Sequence, residues 1–206
     1  AMKHAVIFAH PNQESFTGSV AAAYASAARA LGHDVVTRDL YRLAFEPCLQ
    51  AEELPFAPLF RPAADVVDER RVLADADVFA LCYPFWLNTP PAMMKGYLER
   101  VFGFGFAYGN NGRSEPLLNG RKLISFTSSG APLHWVRETG ALAAETALFD
   151  RYLAELCGLT FVEHVHFGDI TPGASSYYIE DRISDVEAIV KKHFEPIKTS
   201  PQSRKQ

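Results

Sequence analysis

Three short stretches carry side chains that could hold a flat ligand with a charged arm. The first is His10-Pro11-Asn12-Gln13-Glu14-Ser15-Phe16-Thr17, between an apolar run and an amphipathic one. The hydroxyls of Ser15 and Thr17, the imidazole of His10 and the free N–H groups of a helix start form a donor set suited to phosphate. The plainer alternative is Ser15 as an N-cap and His10 as a surface group. The second stretch, Pro84-Phe85-Trp86-Leu87-Asn88-Thr89, follows the apolar run 78–82. It offers aromatic faces and stiff backbone to a planar ligand, unless Phe85 and Trp86 are ordinary core. The third is Thr127-Ser128-Ser129-Gly130-Ala131-Pro132. Its small residues let backbone amides approach a ligand closely; otherwise it is a generic turn. Together the three would supply a phosphate cradle, an aromatic wall and an amide-rich wall.

Such loops act together only if the elements between them bring them to one edge. Ala5-Val6-Ile7-Phe8-Ala9 reads as a buried strand. A helix opens at Ser15 or Phe16, places Val20, Ala23, Tyr24, Ala27, Ala28 and Leu31 on one face, and ends at Gly32. Residues 34–38 form a second strand, 47–62 a proline-rich irregular excursion, and 63–76 a helix leading to a third strand at 77–83. Met94, Tyr97, Leu98 and Val101 lie at helical spacing, with Thr89 as the expected cap. A fourth strand is predicted at 122–127, a helix across 141–157, and a fifth strand at 160–167. A final helix carries Ile179, Ile183, Val186, Val190 and Phe194. Apolar strands alternating with amphipathic helices predict a parallel sheet covered on both faces. The expected architecture is three-layer α/β/α, flavodoxin-like, with five strands in the order 2-1-3-4-5 and a ligand crevice at their carboxyl ends. Residues 1–196 are read as one domain and 197–206 as a disordered polar tail.

Composition removes several classes. With 206 residues, 48% of them hydrophobic, the chain can fill one sizeable core. A net charge of −4 without a basic block argues against nucleic acid. No apolar run approaches the ~18 residues of a membrane helix, and no secretory signal stands at the start. Ala1 ahead of Met2 reads as a cloning remnant. Cys48, Cys82 and Cys157 are unclustered, which suits buried small hydrophobes in a reducing cytoplasm. Gly103-x-Gly105 lacks the third glycine and the preceding strand of a dinucleotide fingerprint. There is no Walker A sequence, no G-x-S-x-G, and no Cys followed six residues later by Arg. His164-x-His166 falls on a strand without partners at metal spacing. The expectation is two histidines facing solvent.

The order of motifs resembles the NAD(P)H:quinone oxidoreductases, the DT-diaphorase-like flavoproteins of the flavodoxin fold. It runs His10-x4-Ser15-Phe16, then Asp39-Leu40-Tyr41, then Pro84-x6-Pro91-Ala92-x2-Lys95-Gly96-x2-Glu99-Arg100-Val101-Phe102. Phe106-Ala107-Tyr108 and the Thr127-Ser128-x-Gly130 loop complete it. The match covers about residues 4–195.

The resemblance implies a tightly bound flavin, reduced by NADPH or NADH, that passes a hydride to a quinone in a ping-pong cycle. It implies that His10, Ser15, Phe16 and Thr17 hold the phosphate arm, and that Pro84, Phe85, Trp86, Leu87 and Asn88 support the isoalloxazine. Thr127, Ser128, Ser129 and Gly130 would border its pyrimidine end, where donors stabilise negative charge. Tyr108 would face the quinone, and the substrate-side His of the mammalian enzymes falls on Thr139, with His134 nearby. Leu87 stands where those enzymes have an aromatic residue, and their C-terminal extension is missing. Arg182 matches an Arg near the adenine end of FAD; FMN is the alternative, and so is pairing of Arg182 with Glu180 or Asp181. Relatives are homodimers, and Phe102, Phe104, Phe106 and Tyr108 suggest an interface core. Three alternatives share the motifs: a nitro- or azo-reductase, a flavin-bearing regulatory subunit of an ion-efflux system, and a one-electron carrier.

Overall fold

In the computed structural model, residues 1–110 and 114–196 are described. The predicted tail at 197–206 lies outside them. In chain order the elements are β1 (Lys3–Phe8), α1 (Phe16–Ala30), β2 (Asp34–Asp39), α2 (Ala64–Leu73), β3 (Val78–Pro84) and α3 (Ala92–Val101). A short hairpin follows, β4 (Tyr108–Asn110) and β5 (Ser114–Pro116), then β6 (Lys122–Ser128), α4 (Leu133–Glu138) and α5 (Ala141–Glu145). A π-helical turn (Thr146–Arg151) leads into α6 (Tyr152–Cys157), and β7 (Thr160–Phe167) and α7 (Ser176–Phe194) end the order.

Five parallel strands form the sheet β2-β1-β3-β6-β7, the predicted 2-1-3-4-5 order. Every residue of β3 is buried, as a central strand covered on both faces requires. On one face Val6, Ala80, Ile124 and Phe126 pack against Val20 and Tyr24 of α1 and Val186, Val190 and Phe194 of α7. On the other, Ile7, Phe79, Leu81 and Leu123 pack against Leu73 of α2, Met94, Tyr97 and Val101 of α3, and Cys157. Fully burying one such side chain contributes ~1.5–3 kcal/mol. The registers Phe8↔Cys82, Pro84↔Ser128 and Ser128↔Phe167 bring the carboxyl ends of four strands to a common edge. The strand order reverses between β1 and β3, where this topology leaves a crevice.

The excursion before α2 is anchored. Gly96 lets α3 approach it closely: a Cβ there would stand 2.1 Å from the Pro47 carbonyl oxygen. Arg100, on the same helix, is 3% exposed and donates twice to Glu53 at 2.9 Å and twice to Asp65. Cys82 and Cys157 are buried and Cys48 is exposed.

Three expectations change. Thr89 does not cap α3, whose N-cap is Pro91; it closes a tight turn in which Trp86 and Thr89 exchange backbone hydrogen bonds at 3.1 and 3.2 Å. Leu87 and Asn88, at its tip, have φ of 54° and 60°, as a type I′ turn demands. The helix at 141–157 is interrupted by the π turn. Phe102 is not free for an interface: it is 3% exposed, with Phe79 and Phe106 edge-on at 5.0 and 5.9 Å. Four of the exposed apolar residues line the groove beside Tyr108 instead: Leu49, Leu54, Leu148 and Tyr152.

Candidate functional site

The loops after β1, β3 and β6 meet at the carboxyl edge around a cleft of ≈ 510 Å³. Of the sequence-predicted residues, His10, Ser15, Phe16, Thr17, Pro84, Phe85, Trp86, Ser128, Ser129 and Gly130 line it. At one end stands the start of α1. Ser15 Oγ accepts the Gly18 N–H at 3.1 Å, so the capping role is real. That bond uses a lone pair of Ser15 and leaves its hydroxyl hydrogen for the cleft. The first-turn N–H groups of α1 have no partner within the helix. His10 Nδ1 accepts the Asn12 N–H at 3.0 Å, and its ring lies 5.6 Å from that of Trp86. Glu14 is also on the lining.

The middle wall is Pro84, Phe85 and Trp86. Phe85 N–H donates to the Ser128 carbonyl at 2.7 Å, tying this wall to the next loop. Trp86 keeps 42% of its surface exposed, whereas Phe85 keeps 8%. At the far end Ser128, Ser129 and Gly130 line the cleft beside Ile170, whose N–H donates to the Ser129 carbonyl at 3.0 Å, and Thr171.

Thr127 is 2% exposed and lies beneath this wall. Its hydroxyl is 2.6 Å from His164 Nε2 and 2.8 Å from His166 Nδ1. His166 Nε2 is 2.8 Å from Ser129 Oγ, which reaches the Ala131 carbonyl at 2.9 Å. His164 Nδ1 is 2.6 Å from Asp150 Oδ2, and Ser125 Oγ donates to Asp150 Oδ1 at 2.5 Å. The two histidines therefore face inward, against expectation, because their side of β7 pairs with Ser125 and Thr127 of β6 and is roofed by the π turn. Glu145 and Asp150 would point about 140° apart on an ideal α-helix. The π turn between them, with its i→i+5 spacing, sets both toward the sheet, and such turns cluster at functional sites. Glu145 accepts from the Tyr83 hydroxyl at 3.0 Å. Burial, with a smaller contribution from Asp150, pushes its carboxyl up to about 7. Burial, then His164 and Arg137, pushes His166 down to about 4. Ser125, Glu145 and Asp150 were not singled out by the motifs, and His164 and His166 were read only as solvent-facing strand residues. Among the described residues no His, Cys, Asp and Glu cluster could hold a metal ion.

The remaining predicted residues lie elsewhere. Leu87 is 98% exposed at its turn tip. Asn88 borders a separate depression with Thr139, Trp135 and Glu145. Thr139 Oγ1 donates back to the Trp135 carbonyl at 2.9 Å, and His134 is exposed on α4. Tyr108 lines an apolar groove of ≈ 530 Å³ with Leu148 and Tyr152. Arg182 is outside the cleft lining, paired with Asp181 and, at 3.0 Å, with Asp185, its guanidinium over Tyr178. No helix among the described residues is long and apolar enough to cross a membrane.

Known proteins share this fold. A family profile described as "Flavodoxin-like fold" matches residues 2–190. An uncharacterized NAD(P)H oxidoreductase of Haemophilus influenzae is 36% identical over 171 residues, covering 82% of this chain and 85% of the relative. Among solved structures, NAD(P)H:quinone oxidoreductase from Methanothermobacter marburgensis superimposes with a TM-score of 0.82 at 25% identity. That match covers 93% of this chain and 96% of the other. General stress protein 14 of Treponema denticola, solved in complex with FMN, shares the fold with a TM-score of 0.67 at 23% identity, covering 92% and 98%. Sequence, topology and the crevice at the strand ends thus agree that the chain is an oxidoreductase and belongs to the NAD(P)H:quinone oxidoreductase family of the flavodoxin-like fold.

Proposed function

We propose that this chain is a cytoplasmic, flavin-dependent NAD(P)H:quinone oxidoreductase. The observation that carries the reading is one cleft with polar groups at both ends and an aromatic wall between them. Hydroxyls and first-turn N–H groups of α1 stand at one end, the hydroxyls and amides of residues 128–130 at the other, and aromatic groups between. This donor set fits a flavin: an anion at the helix start, a flat apolar ring along Phe85 and Trp86, and polar ring edges at Ser128, Ser129 and Gly130. When bound, the flavin accepts a hydride from reduced nicotinamide and gives it to a quinone. Ser15 and Thr17 bind the phosphate arm. The Trp86–Thr89 turn fixes the wall, and the positive φ of Leu87 and Asn88 is local strain of the kind stored at ligand clamps. The Ser128 hydroxyl and the Gly130 N–H direct donors at the ring edge where negative charge develops, in the manner of an oxyanion hole.

FAD is favoured over FMN if Arg182 exchanges Asp181 or Asp185 for an adenine nucleotide, since Ile179, one turn earlier on α7, is on the lining. Tyr108 and Thr139 are separated from the cleft within one chain. They serve the substrate side only if a second copy brings its own groove to the cleft, so the active form is a homodimer. Steady-state oxidation of NADPH and of NADH with menadione as acceptor tests the reading. Turnover dependent on bound flavin is expected; flavin-loaded protein that oxidises neither nucleotide overturns it.

A further inference from the structure

The bonds beneath the cleft form an unbroken chain: Ser129, His166, Thr127, His164, Asp150. Its four links are 2.8, 2.8, 2.6 and 2.6 Å. Only Ser129 reaches the cleft; Asp150 is 0% exposed and the His164 side chain 2%. The Phe85 ring lies 4.5 Å from His166 and 5.9 Å from His164, keeping water from both. A network built only to hold structure needs its hydrogens in one arrangement. This one is satisfied in two.

With Asp150 a carboxylate, Ser129 O–H donates to His166 Nε2 and His166 Nδ1–H to Thr127. Thr127 O–H then donates to His164 Nε2, and His164 Nδ1–H to Asp150. With Asp150 a carboxylic acid, every hydrogen has moved one place toward it, and Ser129 O–H turns to the Ala131 carbonyl, 2.9 Å away. Ser125 donates to Asp150 in both. We propose that these five side chains are a proton wire, which exchanges one proton between Asp150 and the group bound against Ser129. The wire rests on the reading above only for that group, a redox cofactor whose proton count changes on reduction. In one passage the bound group loses a proton to Ser129 Oγ. Each link hands its own hydrogen onward, and Asp150 gains one. The reverse passage delivers a proton to the cleft, and no electron moves along the wire. The exchange needs no imidazolium at any link; for His166 this agrees with burial, His164 and Arg137 holding it down at about 4. The charged or titratable groups facing the wire are Glu145 of α5, Tyr83 of β3 and Arg137 of α4.

Imidazole ¹⁵N spectra test this without any activity measurement. In protein freed of small molecules near neutral pH, both rings should be neutral Nδ1–H tautomers. On acidification they should switch together to Nε2–H, with one shared midpoint and no imidazolium. Below that midpoint, where Asp150 holds its proton, anaerobic reduction of the flavin-loaded protein with dithionite should return both rings to Nδ1–H as the proton passes to the cleft. Asp150→Asn should abolish the shared switch, because the amide cannot take the proton. Ser129→Ala, which leaves the buried links intact, should keep the acid switch and lose the response to reduction. Separate midpoints, rings that become imidazolium, tautomers fixed under both conditions, or a switch that survives in Asp150→Asn would each overturn the wire. Failure to bind flavin would count against the proposed function and leave the acid titration to decide the wire.

Discussion

Replacing Ser15 with Ala removes two bonds at once, and the geometry gives each its own readout. The first is the cap, in which Oγ accepts the Gly18 N–H at 3.1 Å. Its loss costs ~1 kcal/mol of stability, and for a chain of this size that lowers Tm by roughly 2–4 °C. The second is the hydroxyl donor turned to the cleft. A bond to a charged phosphate is typically worth ~1.5–3 kcal/mol, so its loss should weaken flavin binding by about 10- to 150-fold. Thr17 lines the same end but makes no capping bond. Thr17→Ala should therefore lose affinity on the same scale while sparing the cap. Cofactor-free protein gives the Tm, and flavin titration gives the affinity. The double variant should keep its circular dichroism and bind at least tenfold more weakly. If Ser15→Ala lowers Tm while neither change moves the affinity, this loop is only a helix start and the phosphate cradle is wrong.

Tyr108→Phe should lose one hydrogen bond to the acceptor, ~0.5–1.5 kcal/mol, a several-fold fall in kcat/KM for quinone with flavin reduction unchanged. Stopped-flow study of each half-reaction checks this, and a loss confined to flavin reduction would move Tyr108 to nicotinamide binding. Light scattering should find a particle of twice 22.8 kDa. Leu148→Arg, at a side chain 77% exposed beside the Tyr108 groove, should give monomers; monomeric wild-type protein with full quinone turnover would refute the dimer. Glu145 has a folded-state pKa raised from 4.5 to about 7, so the folded chain holds a proton that the unfolded chain has released between those values. Its contribution is complete below 4.5 and is lost as pH rises through about 7, on the order of a few kcal/mol. Glu145→Gln should flatten that part of the stability–pH curve, and an unchanged slope would refute the assignment.

The fold was legible because the central strands β1 and β3 are apolar runs and the long helices α1 and α7 show their 3.6-residue period. Val20, Tyr24 and Ala28 of α1 and Val186, Val190 and Phe194 of α7 are buried as their spacing requires. The cleft was legible because in a parallel sheet loops that follow strands must share one edge. The polar chain beneath it was hidden by two effects. A π turn breaks helical periodicity, so Glu145 and Asp150 show no common face in a 3.6-residue reading. His164 and His166 have the alternation of a solvent-facing strand, and only their register with Ser125 and Thr127 turns that face inward. Ser125 and Thr127, two hydroxyls at alternate positions of a buried apolar strand, were the available signal. Tyr108 and Thr139 carry roles from the family motif, and no intrachain pattern could have revealed their separation from the cleft.

The account's central claim is that the cleft between α1 and residues 128–130 holds a flavin. The most direct measurement is the visible absorption spectrum of the purified protein, or of the protein mixed with micromolar FAD or FMN, together with the mass of the cofactor released on denaturation. A flavin spectrum and the mass of FAD are predicted. The mass of FMN would keep the cleft and withdraw Arg182 from it. Protein that carries no flavin and binds neither at micromolar concentration would contradict the account.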